Sequence, residues 1–156
     1  MIHHPYLKKW FQFCPHCKTK LKFKSAHYLV CSSCDFKYYL NPAPAVAVLI
    51  EKNNKLLFAK RGFEPKKGYW DTPGGFVNPN ETAEACVLRE VREETTLEVE
   101  IIASLGTKDD LYGLGPTINL IYLTQIKSGT PQAQDDVSQL QWFSPDAILK
   151  EKLAFT

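Results

Sequence analysis

No stretch of this sequence is apolar for long enough to cross a bilayer. The longest run, Ala43 to Ile50, falls far short of the roughly 20 residues that a spanning helix needs. The opening Met1–Ile2–His3–His4 lacks the basic-then-apolar order of a secretory signal, so an intracellular, cytoplasmic protein is expected. Neither sign of charge dominates: 19 basic against 17 acidic side chains give +2, which does not by itself point to nucleic acid. There is no internal repeat and no low-complexity tract. What is present, 44% hydrophobic residues in 156, can fill a core and excludes wholesale disorder. One ordinary domain, or one with a small appendage, is the expectation.

The small net charge hides a sharp asymmetry. Residues 1–44 hold Lys8, Lys9, Lys18, Lys20, Lys22, Lys24 and Lys37 against Asp35 alone, a net +6 that leaves −4 for residues 45–156. All four histidines (His3, His4, His16, His27) and four of the five cysteines lie in that basic part. Two units are expected, 1–42 and 43–156, joined at Asn41-Pro42-Ala43-Pro44, whose prolines disfavour helix.

Cys14-Pro-His-Cys17 and Cys31-Ser-Ser-Cys34 are two Cys-x2-Cys knuckles. Each can present two thiolates from one tight turn, and two such turns complete a tetrahedral sulfur site that leaves no position for catalytic water. So short a segment cannot bury enough surface to fold unaided, which gives a structural Zn2+ a physical purpose. Phe23, Tyr28, Leu29, Phe36 and Tyr38 would supply the core of two short hairpins. Disulfides fit an intracellular protein poorly, and a redox Cys-x2-Cys needs a helix that neither pair precedes. His16 could replace a thiolate but is not required. Lys18, Lys20, Lys22 and Lys24 alternate, so an extended strand would put them on one face. With Trp10, Phe11 and Phe13 nearby they could meet a polyanion, or simply be solvated. A structural role, with a homodimer contact as one form of it, is preferred to nucleic-acid binding.

The second unit reads as α+β with a mixed sheet. Ala45–Glu51 and Lys55–Lys60 are strands joined through Asn53-Asn54; Arg61 to Pro73 is a long loop; a helix starts between Pro79 and Ala83 and ends near Thr95. Leu97–Leu105 and Thr117–Ile126 are strands separated by loop Gly106–Pro116. Loop Gly129–Ser138, strand Leu140–Phe143 and helix Pro145–Lys152 complete the order. Asn78 with Glu81 makes a capping box, with Thr82 as a competing cap.

The chemistry is concentrated on that first helix. Ala83, Val87, Leu88 and Val91 gather on one side, and Glu90, Glu93 and Glu94 form a stripe where this side meets solvent. Acids held close beside an apolar seam suit a divalent, oxygen-seeking cation. Arg89 can lean toward Glu93, and Gly74-Gly75 allow close approach of a ligand and offer carbonyls as hard donors. The plainer reading is a charged helix face on which Arg89 and Arg92 offset the glutamates. Cys86 reads as a small buried side chain.

Gly75, Glu81 after five residues, then after seven more Arg89-Glu90-Val91, Glu93-Glu94 and Leu97 resemble the signature of the Nudix hydrolases. Thr96 stands where the family usually has the glycine that leaves the helix in a left-handed turn. A β-branched residue should lose about 1–2 kcal/mol there, or leave by another path. Leu56–Arg61, Gly68–Gly75 and Val137–Phe143 also look like family counterparts, and the likeness covers approximately residues 43–152. A zinc ribbon ahead of the domain is similar to the arrangement in NADH pyrophosphatases, but their Ser-Gln-Pro-Trp signature is missing.

The resemblance implies a Nudix α/β/α sandwich behind a four-cysteine ribbon, and a Mg2+- or Mn2+-dependent attack of water on a nucleoside diphosphate linked to a second moiety. ADP-ribose or another ADP-sugar leads as substrate; a nucleoside triphosphate or NADH is the alternative. A non-catalytic nucleic-acid or protein-binding module is the reading from another class. Glu90, Glu93 and Glu94 with the Gly74 or Gly75 carbonyl are the expected metal ligands. Arg89 orients the acids, Glu81 braces the loop, and Glu93 or Asp136 serves as base, with Asp109-Asp110 a competing pair. Arg61, Gly74, Gly75 and Phe76 are expected to bind substrate. Lys66-Lys67 could add a phosphate contact, and Trp70 and Tyr112 are packing residues first and base-stacking residues second.

Overall fold

The computed structural model describes residues 10–113 and 115–155; His3, His4, Lys8 and Lys9 lie outside them. The chain divides into two compact units, Met1–Pro42 and Ala43–Thr156.

In the first unit β1 (Lys22–Ser25), β2 (Tyr28–Val30) and β3 (Lys37–Tyr39) form one antiparallel sheet. Its inner face, Phe23, Leu29 and Tyr38, packs with Leu21, Phe11 and Phe36 around Cys14 and Cys31. Each knuckle is a backbone turn: Cys14 N–H donates to the Thr19 carbonyl (2.8 Å) and Cys31 N–H to that of Phe36 (3.0 Å). Tyr28, read as core, instead stacks with Tyr39 on the outer face, because β2 offers the inner face only Leu29.

The second unit is built on a six-stranded mixed sheet. It contains β4 (Ala43–Lys52), β5 (Lys55–Arg61), β6 (Trp70–Asp71), β7 (Glu98–Tyr112), β8 (Gly115–Ser128) and β9 (Val137–Phe143). The order is β6-β5-β4-β8-β7, with β9 also on β5; β4 and β8 run parallel and the other pairs antiparallel. Asn53 and Asn54 both have positive φ, as a two-residue hairpin turn between twisted strands requires. Beyond that turn β4 and β5 part, since they pair only at Glu51–Leu56 and Lys52–Lys55. The edge of β4 so released takes up the glycine segment: Val48 N–H donates to the Pro73 carbonyl, Val46 N–H to that of Gly75 (both 2.8 Å), and Val77 N–H to that of Pro44 (3.1 Å).

Helix α1 (Ala83–Thr95) covers one face of the sheet. Val46, Val48 and Ile50 of β4 alternate toward it and meet Cys86, Val87 and Val91. On the other face Phe58, Trp70 and Phe143 pack with Ile148 of the short helix α2 (Pro145–Ile148). No helix among the described residues is long and apolar enough to cross a membrane.

Several sequence expectations change. Gly106–Pro116 is not a separating loop, because cross-strand pairing carries β7 to Tyr112 and restarts β8 at Gly115, overriding the local turn residues. The last helix ends at Ile148, and Trp70–Asp71 forms a strand inside the expected loop. Leu88 is exposed, while the α1 face that packs on the sheet carries Glu90 and Glu94. Thr82 rather than Asn78 caps the helix, its side chain accepting from Ala85 N–H.

Thr96 takes the left-handed exit, at φ 62°. Its hydroxyl donates to the Thr130 carbonyl (2.9 Å), and Gln132 and Gln134 N–H groups satisfy the Thr95 and Glu94 carbonyls at the helix end. Thr96→Val keeps the branched side chain and the backbone strain but deletes this hydrogen bond. It should lower unfolding stability by about 1 kcal/mol in urea titration; an unchanged midpoint would show that the bond contributes nothing.

Candidate functional site

The segment Pro73–Val77 lies along β4 and under α1, so its two glycines meet the helix's acids. Gly74 N–H donates to Glu94 Oε2 (3.0 Å). A Cβ on Gly75 would occupy the space of the Glu90 carboxylate, and one on Gly74, where φ is +150°, would overlap the Val46 carbonyl. The glycines are thus required by close approach from both sides.

Four of the five glutamates at 81–94 stand in different environments around the glycine loop. Glu90 and Glu94 are only 9% and 7% exposed. Burial pushes the Glu90 carboxyl above its ordinary range, against the hydrogen bond from Arg89. It pushes Glu94 up further, only partly opposed by Gly74 N–H and reinforced by the charges of Asp136, Glu90 and Asp71. Glu81 goes the other way, to about 2, held by Arg89 and by Asn78 N–H. Glu93 is half exposed.

Arg89 ties three of these acids together. It forks onto Glu81 (2.8 and 2.9 Å), reaches Glu90 (2.8 Å) and Glu93 (2.9 Å), and donates to the Phe76 carbonyl (3.1 Å). A planar guanidinium can serve several carboxylates at once where an ammonium could not. Glu81 thereby braces the loop ahead of the helix as well as the arginine.

Asp136 lies close enough for its charge to raise both Glu90 and Glu94, and its carbonyl anchors Gly62 N–H (2.7 Å). Of the competing pair, Asp110 lines the cleft described below and Asp109 is exposed on β7.

Beside the glycines, on the face of the sheet away from α1, opens a cleft of about 320 Å³. Its floor is Ala45, Ala47, Leu49 and Ile121, its polar wall Asp71, Lys108 and Asn119. Arg61 also lines it, but its donors are engaged by the Pro65 carbonyl (2.8 Å), Tyr112 Oη (3.1 Å) and Asp71 (3.4 Å), with the rings of Tyr112 and Phe155 beside it. Phe76 meets Tyr112 edge-on at 5.2 Å. Trp70 is buried among core residues, Lys66 covers the Tyr69 ring, and Cys86 lies buried beneath the loop, its thiol pushed up to about 12 by burial.

Asp71 was not among the sequence candidates. It has no local signature; an acid between Trp70 and Pro73 in an otherwise apolar segment is the one available signal. Burial raises its carboxyl to about 6 against the attraction of Arg61.

In the first unit the four thiols form a group whose ligand atoms all lie within 4.8 Å of one another, the only such group of His, Cys, Asp or Glu among the described residues. Cys14 and Cys34 sulfurs are 3.7 Å apart and those of Cys17 and Cys31 3.4 Å. Both gaps exceed the disulfide length of about 2.05 Å. Tetrahedral coordination at about 2.3 Å would put sulfurs about 3.8 Å apart, so the cluster fits a metal.

Two outcomes follow from this geometry. Gly74→Ala should destabilise the unit by about 3 kcal/mol or more, since it adds left-handed strain and a clash with backbone. Gly75→Ala should fold more nearly as wild type while displacing Glu90; equal urea midpoints for the two variants would refute the distinction.

Asp71 gives a pH signature. Its folded carboxyl keeps a proton to higher pH than the unfolded one, so its contribution is present below about pH 4 and lost as pH rises through about 6. Asp71→Asn should therefore gain on wild type by up to about 3 kcal/mol between pH 4 and 7. A pH-independent difference in thermal or urea stability would overturn the shift.

Known proteins place this arrangement. Residues 41–156 match the NUDIX domain. The ADP-ribose pyrophosphatase of Methanocaldococcus jannaschii is 38% identical over 122 residues, 77% of this chain and 71% of that protein. The NAD-capped RNA hydrolase NudC of Pseudomonas aeruginosa is 31% identical over 141 residues, 88% of this chain; the chain spans about half, 49%, of that relative's length. In three dimensions a NUDIX hydrolase from Nitrosomonas europaea superposes with a TM-score of 0.73 over 87% of this chain and 79% of that one, at 23% identity, a likeness of fold. With its glycine loop, its helix of acids and a match over most of its length, this chain belongs to the Nudix hydrolase family.

Proposed function

We propose that the chain is a cytoplasmic, divalent-cation-dependent pyrophosphatase that hydrolyses a nucleoside diphosphate linked to a second moiety, with ADP-ribose or a related ADP-sugar as substrate. The observation that carries this reading is the burial of Glu90 and Glu94 side by side against Gly75 and Gly74. Two acids kept from water, with further carboxylates nearby and one guanidinium between them, form a donor set for a hard cation. Glu90 and Glu94 would hold Mg2+ or Mn2+. The Pro73 and Gly75 carbonyls face β4, which leaves that of Gly74 as the loop's donor. When bound, the cation would neutralise phosphate oxygens and polarise water.

The chain's own residues supply the rest. Arg89 keeps Glu90 oriented and offsets the repulsion among the acids. Glu93, exposed and bound to Arg89, is better suited to a supporting part in the cation's shell than to proton transfer. Asp136, half-buried and beside the two buried acids, is the base we assign: it takes the proton of the attacking water as an O–P bond forms and the bridging P–O bond breaks. Products are a nucleoside monophosphate and the phosphorylated second moiety. Phe76 and Tyr112 offer aromatic surface at the cleft, while Arg61 shapes its wall through Tyr112 and Asp71.

The name of the archaeal relative supports ADP-ribose. A second reading, NAD(H) or a related dinucleotide, is favoured by the reach of the NudC similarity, which covers 88% of this chain and so extends ahead of the NUDIX match into the cysteine-bearing part. Against it stands the missing Ser-Gln-Pro-Trp signature. For the ribbon we propose structural Zn2+ on Cys14, Cys17, Cys31 and Cys34.

Steady-state kinetics with Mg2+ on ADP-ribose, NADH and a nucleoside triphosphate test the substrate, and the highest kcat/KM is expected for ADP-ribose. A marked preference for the triphosphate or for NADH would displace it. Glu94→Gln keeps the shape and an acceptor for Gly74 N–H, so it should melt near wild type while kcat falls roughly a hundredfold or more. A wild-type kcat would remove Glu94 from the site.

A further inference from the structure

The ribbon's outer surface takes no part in the chemistry above, and its composition is specific. Antiparallel partners share a face, so Lys22, Val30 and Lys37 form one row across the sheet and Tyr28 and Tyr39 the next. Phe23, Leu29 and Tyr38 point the other way, into the core with the thiols. The two tyrosine rings stack at 4.3 Å and 18°, and Tyr39 is 52% exposed, so the pair meets solvent. Lys24, the extra residue where the β1 register shifts, is exposed and precedes Ser25, which pairs with Tyr28. Phe13, 61% exposed, is bridged to Lys20. Asp35 is the single acidic residue in the unit.

We infer that this face, with Lys22, Lys24 and Lys37 around the Tyr28–Tyr39 stack, binds an unpaired stretch of nucleic acid. The lysines alone would serve any polyanion. The rings narrow the choice: a base has a flat π-face to lay on an aromatic ring, whereas carboxylates and sulfates have none. In a duplex those faces are already covered by neighbouring bases. The three-stranded sheet fixes the rings and the Lys22 and Lys37 ammonium groups on one side, which a run of lysines in a flexible tail would not do. The sequence alone names Trp10, Phe11 and Phe13 as stacking groups and puts Tyr28 in the core; with the tyrosines outside, the face has both elements that single-strand binding uses. This inference does not depend on the hydrolase reading, since the strand need not contain a pyrophosphate.

Fluorescence anisotropy of the full chain with a short labelled oligoribonucleotide ending in a 5′-hydroxyl, and with its deoxy counterpart, tests it without any turnover. Binding of either single strand is expected, with log K falling against log salt at a slope of about −2 for three neutralised phosphates. The double variant Lys22→Gln/Lys37→Gln should reduce that slope to about −0.7. Tyr39→Ala should weaken binding roughly tenfold and Tyr39→Phe, which keeps the ring, should bind as wild type. Zinc content and melting temperature report whether a variant remains folded; if Tyr39→Ala does not, the lysine pair and Tyr39→Phe still decide. Absent or salt-independent binding, lysine variants that bind as wild type, or duplex or polyglutamate bound as tightly as the single strand would each overturn the proposal.

Discussion

The architecture of the catalytic unit follows from holding two carboxylates out of water. Moving an acid into a protein interior is costly unless it is hydrogen-bonded or neutralised. Here Glu94 receives one backbone N–H and Glu90 one arm of Arg89, while both remain proton-hungry against each other and Asp136. The surrounding parts can be understood as the means of sustaining that arrangement. Cys86, Val87 and Val91, on the same helix face, bury against β4 and fix the helix at a distance at which only glycines fit below the acids. The splaying of β4 from β5 gives the glycine segment a backbone partner, so that its own polar groups are satisfied as it passes beneath the helix.

Arg89 adds a second constraint. Its guanidinium gathers Glu81, Glu90 and Glu93, yet Glu94 is left outside its reach, with Gly74 N–H as its bond. The arginine therefore offsets part of the negative charge without cancelling it. A helix whose acids were all paired would be a stable surface and a poor cation site. The imbalance separates this helix from the ordinary charged face that the sequence pattern also allowed.

Much of this was legible in one dimension because its signals are local. Asn53-Asn54 specify a two-residue turn by their tolerance of positive φ, the paired knuckles bring four thiols together, and the spacing of Gly75, Glu81, Arg89, Glu90, Glu93 and Glu94 marks the loop and helix. What was not legible depends on neighbours distant in sequence. Gly106 and Asp109-Asp110 look like loop residues until β8 pairs with them. Leu88 looks like core by helical period, but the sheet lies on the side of Glu90 and Glu94. Tyr28 cannot be assigned to a face without the register of β3, and Asp71 acquires significance only when burial raises it beside Arg61 and near Glu94.

The same point explains why glutamates of one segment differ in proton affinity. Glu81, Glu90 and Glu94 start from one intrinsic value and belong to one loop and the helix that follows it. Contact with Arg89 and Asn78 N–H lowers Glu81; enclosure by the glycine segment and core raises Glu90 and Glu94; Glu93 keeps access to water. Residue type and spacing nominate the set, but the sheet beneath and the bonds of Arg89 divide the labour. Exchanging Glu90 with Arg92 in sequence would preserve composition and net charge, yet it would move a buried carboxylate to solvent. The functional information thus lies in which acids the glycines admit to the interior.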